Sequence, residues 1–357
     1  MRALVARAVG EPLRVEEVDL PAPGPGEVRV DIRAAGVCHS DLSMVDGTIA
    51  PPYPLVLGHE AAGVVTEVGE GVSRVAPGAH VVLNWAPPCR RCWYCGHGEP
   101  WLCERSGTPA AARGRTAAGE PLHVTLGLGA LADAVVVAQD AVIPVPAELP
   151  FEAAALLGCA VLTGAGAVRR TARVAPGDSV AVIGLGGVGL SAVSAARAAG
   201  ADPVLAVDVS PGKAELAGAA GATEFLLADE SVNRAIRERT AGRGVDHAIE
   251  CVGRSATIRT AWRAARRGGQ VIVVGMGARD DVVGLSALDI FHSARTLRSS
   301  VYGSSDPDRD VPELARAVLD GALDLAPLIT DRCDLDGAAA AFGRMARGEG
   351  ARTVVRP

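Results

Sequence analysis

The sequence predicts an α/β protein in two parts, a mostly β part and a parallel sheet with helices on both faces. Short alternating stretches such as "EVRVDIRAAG", interrupted by Gly and Pro, fill residues 1 to about 160 and are typical of irregular β structure. From about residue 165, apolar strands such as "DSVAVIGLG" and "GGQVIVVGMG" alternate with Ala-rich helical segments, which indicates a doubly covered parallel sheet. The closing segment "ARTVVRP" is predicted to return a strand to the first part.

Composition limits the possible functions. The chain has 357 residues, of which 49% are hydrophobic, and this is enough for two separate cores. Its 35 basic and 41 acidic residues give a net charge of −6, so no basic surface for nucleic acid is expected. The N-terminus has no secretory pattern, and no segment reaches ~18 uninterrupted apolar residues. We therefore expect a soluble cytoplasmic protein without a membrane partner, in which clustered cysteines bind metal more often than they form disulfides.

A glycine-rich turn in the second part predicts a dinucleotide site. Gly184, Gly186 and Gly189 form G-x-G-x-x-G between a strand and a helix, where glycines let the backbone approach a pyrophosphate. Asp208 follows 19 residues after Gly189, at the end of the next strand. A carboxylate there binds the adenosine ribose hydroxyls and repels a 2′-phosphate, which favours NAD over NADP, unless the residue only caps a helix. Lys213, the only lysine, either reaches the same ribose or is a solvated surface lysine.

Four of the eight cysteines lie within the sixteen residues "PCRRCWYCGHGEPWLC". Their spacing is C-x2-C-x2-C-x7-C, and four thiolates at this spacing can surround Zn²⁺ and leave no position for water or substrate. The prediction is a structural zinc site. An iron–sulfur cluster accepts the same ligands, whereas a redox pair needs fewer cysteines. The four ligands are Cys89, Cys92, Cys95 and Cys103.

A second set of soft ligands is dispersed along the chain. Cys38 in "GVCHSD", His59 in "LGHEAAG" and Cys159 in "LLGCAVLTG" lie 21 and 100 residues apart. Two thiolates and one imidazole would leave a tetrahedral zinc with one open position, as in a catalytic site. From spacing alone, a buried core cysteine and an interior histidine remain alternatives.

The motifs together resemble one family. "GVCHSDL", "GHEAAGVVTEVGEGV", the four-cysteine segment, "LLGCAVLTGAGA" and "VIGLGGVGLSAV" are similar, in order and along nearly the whole chain, to the zinc-dependent alcohol dehydrogenases of the medium-chain dehydrogenase/reductase superfamily. The similarity is greatest to the branch with the liver alcohol dehydrogenases and glutathione-dependent formaldehyde dehydrogenase. The resemblance implies a GroES-like, mostly β catalytic domain over 1–160 and 303–357, and a Rossmann NAD-binding domain with a doubly wound parallel sheet over 161–302.

The resemblance also implies roles for individual residues. Cys38, His59 and Cys159 match the catalytic zinc ligands, and the clustered cysteines match a structural zinc lobe, so two zinc ions per chain are expected. The other catalytic matches are Ser40, which takes the proton of the alcohol, Asp41, which orients His59, and Glu60, which assists ligand exchange at the metal. The cofactor matches are His39 and Arg352 at the pyrophosphate, Gly184, Gly186, Gly187, Val188 and Gly189 in the turn, Asp208 and Lys213 at the ribose, and Val252, Val274 and Met276 along the nicotinamide.

The expected reaction is hydride transfer between NAD and a primary or secondary alcohol, or its aldehyde or ketone. The chain departs from the liver-type pattern at Ser43, where those enzymes have a histidine that relays the proton to solvent. A serine does not titrate near neutrality, so we expect the relay to end in water and the pH profile to differ.

Substrate and partners are less constrained. Trp85, Leu131 and Met276 match an apolar substrate wall, although Trp85 could be ordinary core, and no convergent charge favours a thiol-peptide adduct. The alternatives are therefore a pathway-specific aldehyde or iminium reductase and a thiol-dependent formaldehyde dehydrogenase. A non-catalytic binding protein would be expected to lose the metal ligands, which are all present.

The insertion at residues 104–126 and the strand-like "RTLRSSVYGS" predict a homodimer, with a tetramer as the alternative.

Overall fold

The computed structural model of the chain describes residues 1–106 and 112–357. The central part of the insertion predicted to accompany a dimer, residues 107–111, lies outside the described residues. Two compact units are present. Unit 1 comprises Met1–Cys159, Asp306–Gly321 and Ile329–Pro357, and unit 2 comprises Ala160–Ser305 and Ala322–Leu328.

The regular elements follow the two predicted patterns. The strands are β1 (Arg2–Ala6), β2 (Arg14–Asp19), β3 (Glu27–Gly36), β4 (Leu55–Val56), β5 (Glu60–Val68), β6 (His80–Leu83), β7 (Arg115–Thr116), β8 (His123–Val124), β9 (Ala134–Ala138), β10 (Val142–Pro144), β11 (Val180–Ile183), β12 (Val204–Asp208), β13 (Glu224–Leu227), β14 (Val245–Glu250), β15 (Ala265–Val273), β16 (Thr296–Ser299), β17 (Ile329–Cys333) and β18 (Arg352–Val355).

Among the described residues, five helices belong to unit 1 and six to unit 2, where they alternate with the strands of the parallel sheet as the Ala-rich segments predict. The helices of both units are α1 (His39–Val45), α2 (Trp93–Gly96), α3 (Phe151–Leu157), α4 (Ala160–Gly166), α5 (Gly187–Ala198), α6 (Ala214–Ala219), α7 (Val232–Arg239), α8 (Ser255–Ala264), α9 (Ala287–Ser293), α10 (Pro307–Leu319) and α11 (Ala338–Ala346). A π-helical turn, Ala167–Ala172, continues α4.

Unit 1 is built on two β layers. One sheet has the strand order β7-β2-β1-β4-β8, and the other has β10-β6-β5-β3-β18-β17, with β9 also paired to β3. Alternating residues of β3 are buried, because its apolar face packs in the unit's core. The closing segment behaves as expected from the sequence: β18 pairs antiparallel with β3, which joins the end of the chain to the centre of this sheet.

Unit 2 is a parallel sheet with the order β13-β12-β11-β14-β15-β16. All five pairings are parallel, and β11 is buried along its whole length, as a strand covered on both faces requires. The strand order reverses at β11, so its carboxyl end, where Gly184 follows, is the switch point at which such sheets bind ligands. The predicted parallel sheet is therefore confirmed.

In the part of the chain that the structure describes, no single helix is long and apolar enough to span a bilayer, although the bent pair Phe151–Leu157 and Ala160–Ala172 meets the length and composition requirement when taken together.

Candidate metal centres and dinucleotide site

The three dispersed ligands converge in unit 1. Cys38 directly precedes α1, His59 directly precedes β5, and Cys159 lies between α3 and α4. Their ligand atoms all lie within 4.8 Å of one another, and the Cys159 Sγ is 3.3 Å from the His59 Nε2. The three residues are only 5%, 1% and 8% exposed. Folding thus brings together soft ligands that are 21 and 100 positions apart in the sequence.

A buried carboxylate determines how the imidazole is presented. The Asp41 Oδ2 lies 3.0 Å from the His59 Nδ1, and the Asp41 Oδ1 accepts a hydrogen bond from the Gly58 backbone N–H at 2.8 Å. Asp41 is 0% exposed. A proton shared on the Nδ1 side leaves Nε2 as the nitrogen that faces the two sulfur atoms, which is the tautomer a metal ligand needs.

A second buried pair adjoins Cys38. The Arg352 Nη2 donates to the Cys38 Sγ at 3.5 Å, and the Arg352 Nε lies 3.3 Å from the Glu60 Oε1. Glu60 is 0% and Arg352 is 4% exposed, so each charge is compensated inside the protein. Gly36 is required beside them, because a Cβ at that position would lie 2.3 Å from the Glu60 carboxylate oxygen. Glu60 and Arg352 therefore border the cluster directly.

The two thiols and the imidazole of the cluster affect one another's pKa, as expected of ligands grouped around a cation-binding site. The hydrogen bond from Cys159 holds the pKa of Cys38 well below its usual value, and the same contact, with burial, raises the pKa of Cys159. Burial opposes a charged His59, but Asp41 and the Cys38 thiolate outweigh it and raise the pKa of the imidazole. Two sulfurs and one nitrogen that compete for protons in a buried site form a donor set that fits Zn²⁺ with an open fourth position.

The four clustered cysteines form a second centre, also in unit 1. Their sulfur atoms lie within 4.8 Å of one another, and three of the residues are half-buried while Cys103 is 4% exposed. The Cys89 backbone N–H donates to the Cys103 Sγ at 3.2 Å. Burial would raise the pKa of Cys103, but backbone N–H groups of Cys89 and Arg105 lower it to about 6, whereas burial raises the pKa of Cys95 to about 12. Four sulfurs stabilised by backbone N–H groups fit a coordinatively closed zinc.

An arginine between two of these ligands connects the lobe to α10. Arg90 has a left-handed backbone with φ 59°, and its guanidinium contacts the Asp306 carboxylate at 2.8 and 2.6 Å and Asp308 at 2.5 Å. This contact was not predicted from the sequence, in which "CRRC" offers two arginines and no sign of which one is engaged.

The predicted dinucleotide turn has the required backbone. Gly184 has φ +90°, a conformation that favours glycine, and a Cβ on Gly189 would lie 1.8 Å from the Gly184 carbonyl oxygen. The third glycine therefore lets α5 pack closely on the end of β11. Asp208 uses both oxygens: its Oδ2 accepts from the Leu185 N–H at 2.7 Å, so the carboxylate reaches the glycine turn, and its Oδ1 accepts from the Ser210 N–H at 2.9 Å, just before the helical turn Pro211–Lys213.

Lys213 is buried, at 7% exposure, and is not a solvated surface lysine. Burial lowers its pKa, while the Asp208 carboxylate acts in the opposite direction. The ammonium is thus close enough to Asp208 to feel its charge, and the contact of both residues with a ribose stays a prediction.

Glu250 was missed by the sequence analysis. It ends β14 and is 0% exposed, and its Oε1 accepts from the backbone N–H groups of Val252 and Gly253 at 2.9 and 2.8 Å. Its carbonyl oxygen accepts from the Val274 N–H at 2.8 Å. A single residue thus supports both segments predicted to line the nicotinamide. The signal was present in "VDHAIE", where a carboxylate interrupts an apolar strand at its carboxyl end.

The remaining predicted residues have varied surroundings. In unit 1, His39 is exposed, Ser40 is half-buried, and the Trp85 ring meets the His59 ring edge to face with centroids 6.4 Å apart. Leu131 is fully buried and its backbone N–H bonds to the Leu57 carbonyl, which places it beside the strand that leads to His59. In unit 2, Val252 and Met276 are exposed, at 41% and 63%.

Comparison with protein families assigns both units. Residues 24–147 match the family model described as alcohol dehydrogenase GroES-like domain, and residues 187–320 match the one described as zinc-binding dehydrogenase. The chain is 36% identical over 367 residues to the S-(hydroxymethyl)glutathione dehydrogenase of Escherichia coli O1:K1, and the match covers 99% of each chain.

Solved structures agree with the family models. The alcohol dehydrogenase zinc-binding domain protein from Burkholderia ambifaria matches with a TM-score of 0.94 and 36% identity, over 99% of this chain and 98% of that one. Benzyl alcohol dehydrogenase from Acinetobacter calcoaceticus matches with a TM-score of 0.92 and 28% identity, over 99% and 98%. These matches confirm the predicted combination of a GroES-like and a Rossmann architecture.

Proposed function

Because this chain belongs to the zinc-dependent alcohol dehydrogenases of the medium-chain dehydrogenase/reductase superfamily, we propose that it transfers a hydride between NAD and a primary or secondary alcohol, or the matching aldehyde or ketone. It is an oxidoreductase of that family. The observation that carries the proposal is the buried cluster of Cys38, His59 and Cys159, which offers two sulfurs and one nitrogen and leaves a fourth position open. We propose the domain bounds predicted from the sequence, with both metal sites in the catalytic domain over 1–160 and 303–357 and the NAD site in the Rossmann domain over 161–302.

The residues of unit 1 have distinct proposed tasks. Zn²⁺ held by the three ligands would supply a Lewis acid that polarises an alcohol or carbonyl oxygen. Asp41 keeps His59 in the tautomer that presents Nε2, as their 3.0 Å contact supports. Ser40, half-buried in the first turn of α1, receives the hydroxyl proton of the substrate and passes it toward solvent. Glu60, which lies beside Arg352 at the edge of the cluster, would assist the exchange of ligands at a bound metal.

The cofactor is proposed to bind at the carboxyl edge of the sheet in unit 2. The turn from Gly184 to Gly189 would bring the pyrophosphate to the backbone N–H groups at the start of α5. Asp208 and the buried Lys213 hold the adenosine ribose, and the Asp208 charge disfavours a 2′-phosphate. NAD is accordingly proposed in preference to NADP. The other proposed contacts are His39 and Arg352 at the pyrophosphate, and Val252, Val274 and Met276 along the nicotinamide.

One specific observation favours a second candidate substrate. The relative from Escherichia coli named S-(hydroxymethyl)glutathione dehydrogenase matches over 99% of the chain, so a thiol adduct of formaldehyde belongs in any assay. Against it, the proposed substrate wall of Trp85, Leu131 and Met276 is apolar, which suits a simple alcohol. A pathway-specific aldehyde or iminium reductase would use the same residues in the reverse direction.

We further propose a cytoplasmic homodimer. The two centres need reduced cysteines, which that compartment maintains. The edge strand β16 is exposed at all four of its residues, and its free backbone groups can pair with the same strand of a second copy.

The deciding experiment combines activity with metal content. Alcohols, aldehydes and a glutathione–formaldehyde mixture are assayed for NADH or NADPH formation or loss, and zinc is counted in wild type, Cys159→Ser and Cys333→Ser. Cys333 is a half-buried cysteine of the same unit outside both clusters and serves as the control. We expect two zinc ions and activity in wild type and Cys333→Ser, and one zinc ion without activity in Cys159→Ser. Full activity with two zinc ions in Cys159→Ser would overturn the proposal.

A further inference from the structure

A polar cavity lies in unit 2, at the edge where the parallel strands begin. Its volume is about 390 Å³. It is bordered by the starts of β11, β14 and β15, whereas the glycine turn and Asp208 follow the opposite ends of the strands. The cavity is therefore separate from the proposed cofactor site. The charged and ionisable residues of its walls are Arg173, Asp178, Asp246, His247, Arg266 and Arg298.

The first acidic residue of the wall is already satisfied by the protein. The Asp178 Oδ2 accepts from the Ala175 backbone N–H at 2.8 Å and lies 3.0 Å from the His247 Nε2. His247 is only 6% exposed, and its Nδ1 has no hydrogen-bond partner among the described residues. A buried ring nitrogen without a protein partner is uncommon and indicates a site that completes its contacts with water or a ligand.

The second acidic residue is satisfied as well. The Asp246 Oδ2 accepts from both the N–H and the hydroxyl of Ser179, at 2.8 and 2.6 Å, and its Oδ1 accepts from the Arg266 Nε at 2.6 Å. Although burial opposes it, these donors lower the pKa of Asp246 to about 2. Asp246 is therefore paired with an arginine, whereas Asp178 keeps its charge and faces His247.

Positive charge remains on the other side of the wall. Arg298 uses Nη1 for the Thr171 carbonyl at 3.3 Å, and its other guanidinium nitrogens have no partner in the part of the chain that the structure describes. The Arg173 side chain forms no hydrogen bond or ion pair within residues 1–106 and 112–357 and is exposed. It ends the π-helical turn with φ 57°, a left-handed position that glycine usually takes. The three arginines of the wall, Arg173, Arg266 and Arg298, outnumber its two carboxylates, and the two guanidinium groups not paired with Asp246 are both exposed.

We propose that this cavity binds a small oxyanion, bearing phosphate or carboxylate groups, independently of the cofactor and the substrate. The planar fork of an arginine matches the oxygen geometry of both groups and forms charge-assisted hydrogen bonds with them. The volume is sufficient for an anion with more than one such group. A bound anion would stabilise unit 2 by mass action, since it binds the folded state only.

The test uses isothermal titration calorimetry on the full-length, zinc-loaded protein with inorganic phosphate, diphosphate or citrate, at constant ionic strength adjusted with chloride. Arg173→Gln and Arg298→Gln remove one exposed guanidinium each, and Arg263→Gln is the matched control, because Arg263 is exposed on α8 outside the cavity. The oligomeric state of each variant is measured too, since Arg298 lies on β16.

We expect saturable binding of one anion per chain, weakened at least about tenfold by Arg173→Gln and by Arg298→Gln and unchanged by Arg263→Gln. Tighter binding of diphosphate identifies a phosphate ligand, and tighter binding of citrate identifies a carboxylate ligand. The NADH affinity of all three variants should equal that of wild type. The proposal fails if no anion saturates at millimolar concentration, or if the cavity variants bind as tightly as the control. Neither result would affect the proposed dehydrogenase activity.

Discussion

The two cysteine centres of unit 1 are built in opposite ways. The cluster of Cys38, His59 and Cys159 takes each ligand from a different part of the fold, and all three residues are buried. The four-cysteine lobe takes its ligands from fifteen consecutive residues, 89–103, and three of the four are half-buried. A closed metal site can be made by one loop, whereas an open one needs a scaffold that holds ligands apart and excludes bulk water.

The groups that surround the two cysteine centres also differ. Side-chain charges border the buried cluster, with Asp41 on the imidazole and Arg352 on one sulfur. Backbone N–H groups border the lobe, as the contact from Cys89 to the Cys103 sulfur exemplifies. Ionisable neighbours can move protons and adjust a ligand, whereas backbone donors only stabilise thiolates. The comparison therefore assigns the chemistry to the buried cluster and a structural task to the lobe.

Exchanging one ligand in each centre should have the largest effects. Cys95→Ser should lose the lobe's zinc and more than about 4 kcal/mol of the free energy of unfolding, because metal binding contributes directly to folding. Cys159→Ser should lose the other zinc and the reaction but keep the lobe. Zinc content, chemical denaturation and activity measured on both variants check this. Equal stability losses in the two variants would contradict the distinction.

The next largest effect is expected when the Asp41 carboxylate that contacts the His59 imidazole is replaced. Asp41→Asn removes the charge at His59 but keeps a similar shape, and it should weaken binding of the catalytic zinc about 10- to 100-fold. Competition with a chelator measures that affinity. Asp46→Asn, at the exposed end of the same helix, is the control and should leave it unchanged. A loss of zinc from the lobe in Asp41→Asn would show that the carboxylate acts on the whole fold.

The sequence allowed prediction of what is local. The four cysteines and the glycine turn each lie in a short window, so spacing and residue type predict their geometry. The catalytic ligands were identified only through the resemblance, because their proximity depends on the pairing of β3 with β5, where Gly36 faces Glu60. No pattern of spacing encodes that pairing.

Other features depend on tertiary structure that the sequence alone did not reveal. Lys213 could have been a surface lysine, and only the packing of unit 2 buries it beside Asp208. The two arginines of "CRRC" are equivalent as residue types, but the left-handed backbone at Arg90 directs that side chain to Asp306 and Asp308. The arginine-lined cavity likewise combines residues from 171 to 298. Long-range placement, not residue type, was the missing information.

The anchor of the lobe should have a smaller effect. Arg90→Ala removes the contacts to Asp306 and Asp308, and partly exposed ion pairs of this kind contribute up to about 1 kcal/mol, or roughly fivefold in an equilibrium. We expect a few-fold faster release of the lobe's zinc to a chelator. Arg91→Ala changes the adjacent exposed arginine and should release zinc at the wild-type rate. Identical rates in all three proteins would mean that the lobe forms without its contact to α10.

The smallest effect concerns how the proton leaves the buried cluster. Ser43 replaces the histidine of liver-type enzymes and is only 6% exposed, on the helix that also carries Ser40 and Asp41. Ser43→His would add a group that titrates near pH 6.5, so the rate of hydride transfer should gain a few-fold inflection around that pH. Ser43→Asn is the control, because it adds a polar side chain of similar size that does not titrate. If the pH–rate profiles of wild type and Ser43→His coincide, the proton does not pass this position, and the route from Ser40 to water must leave the helix earlier.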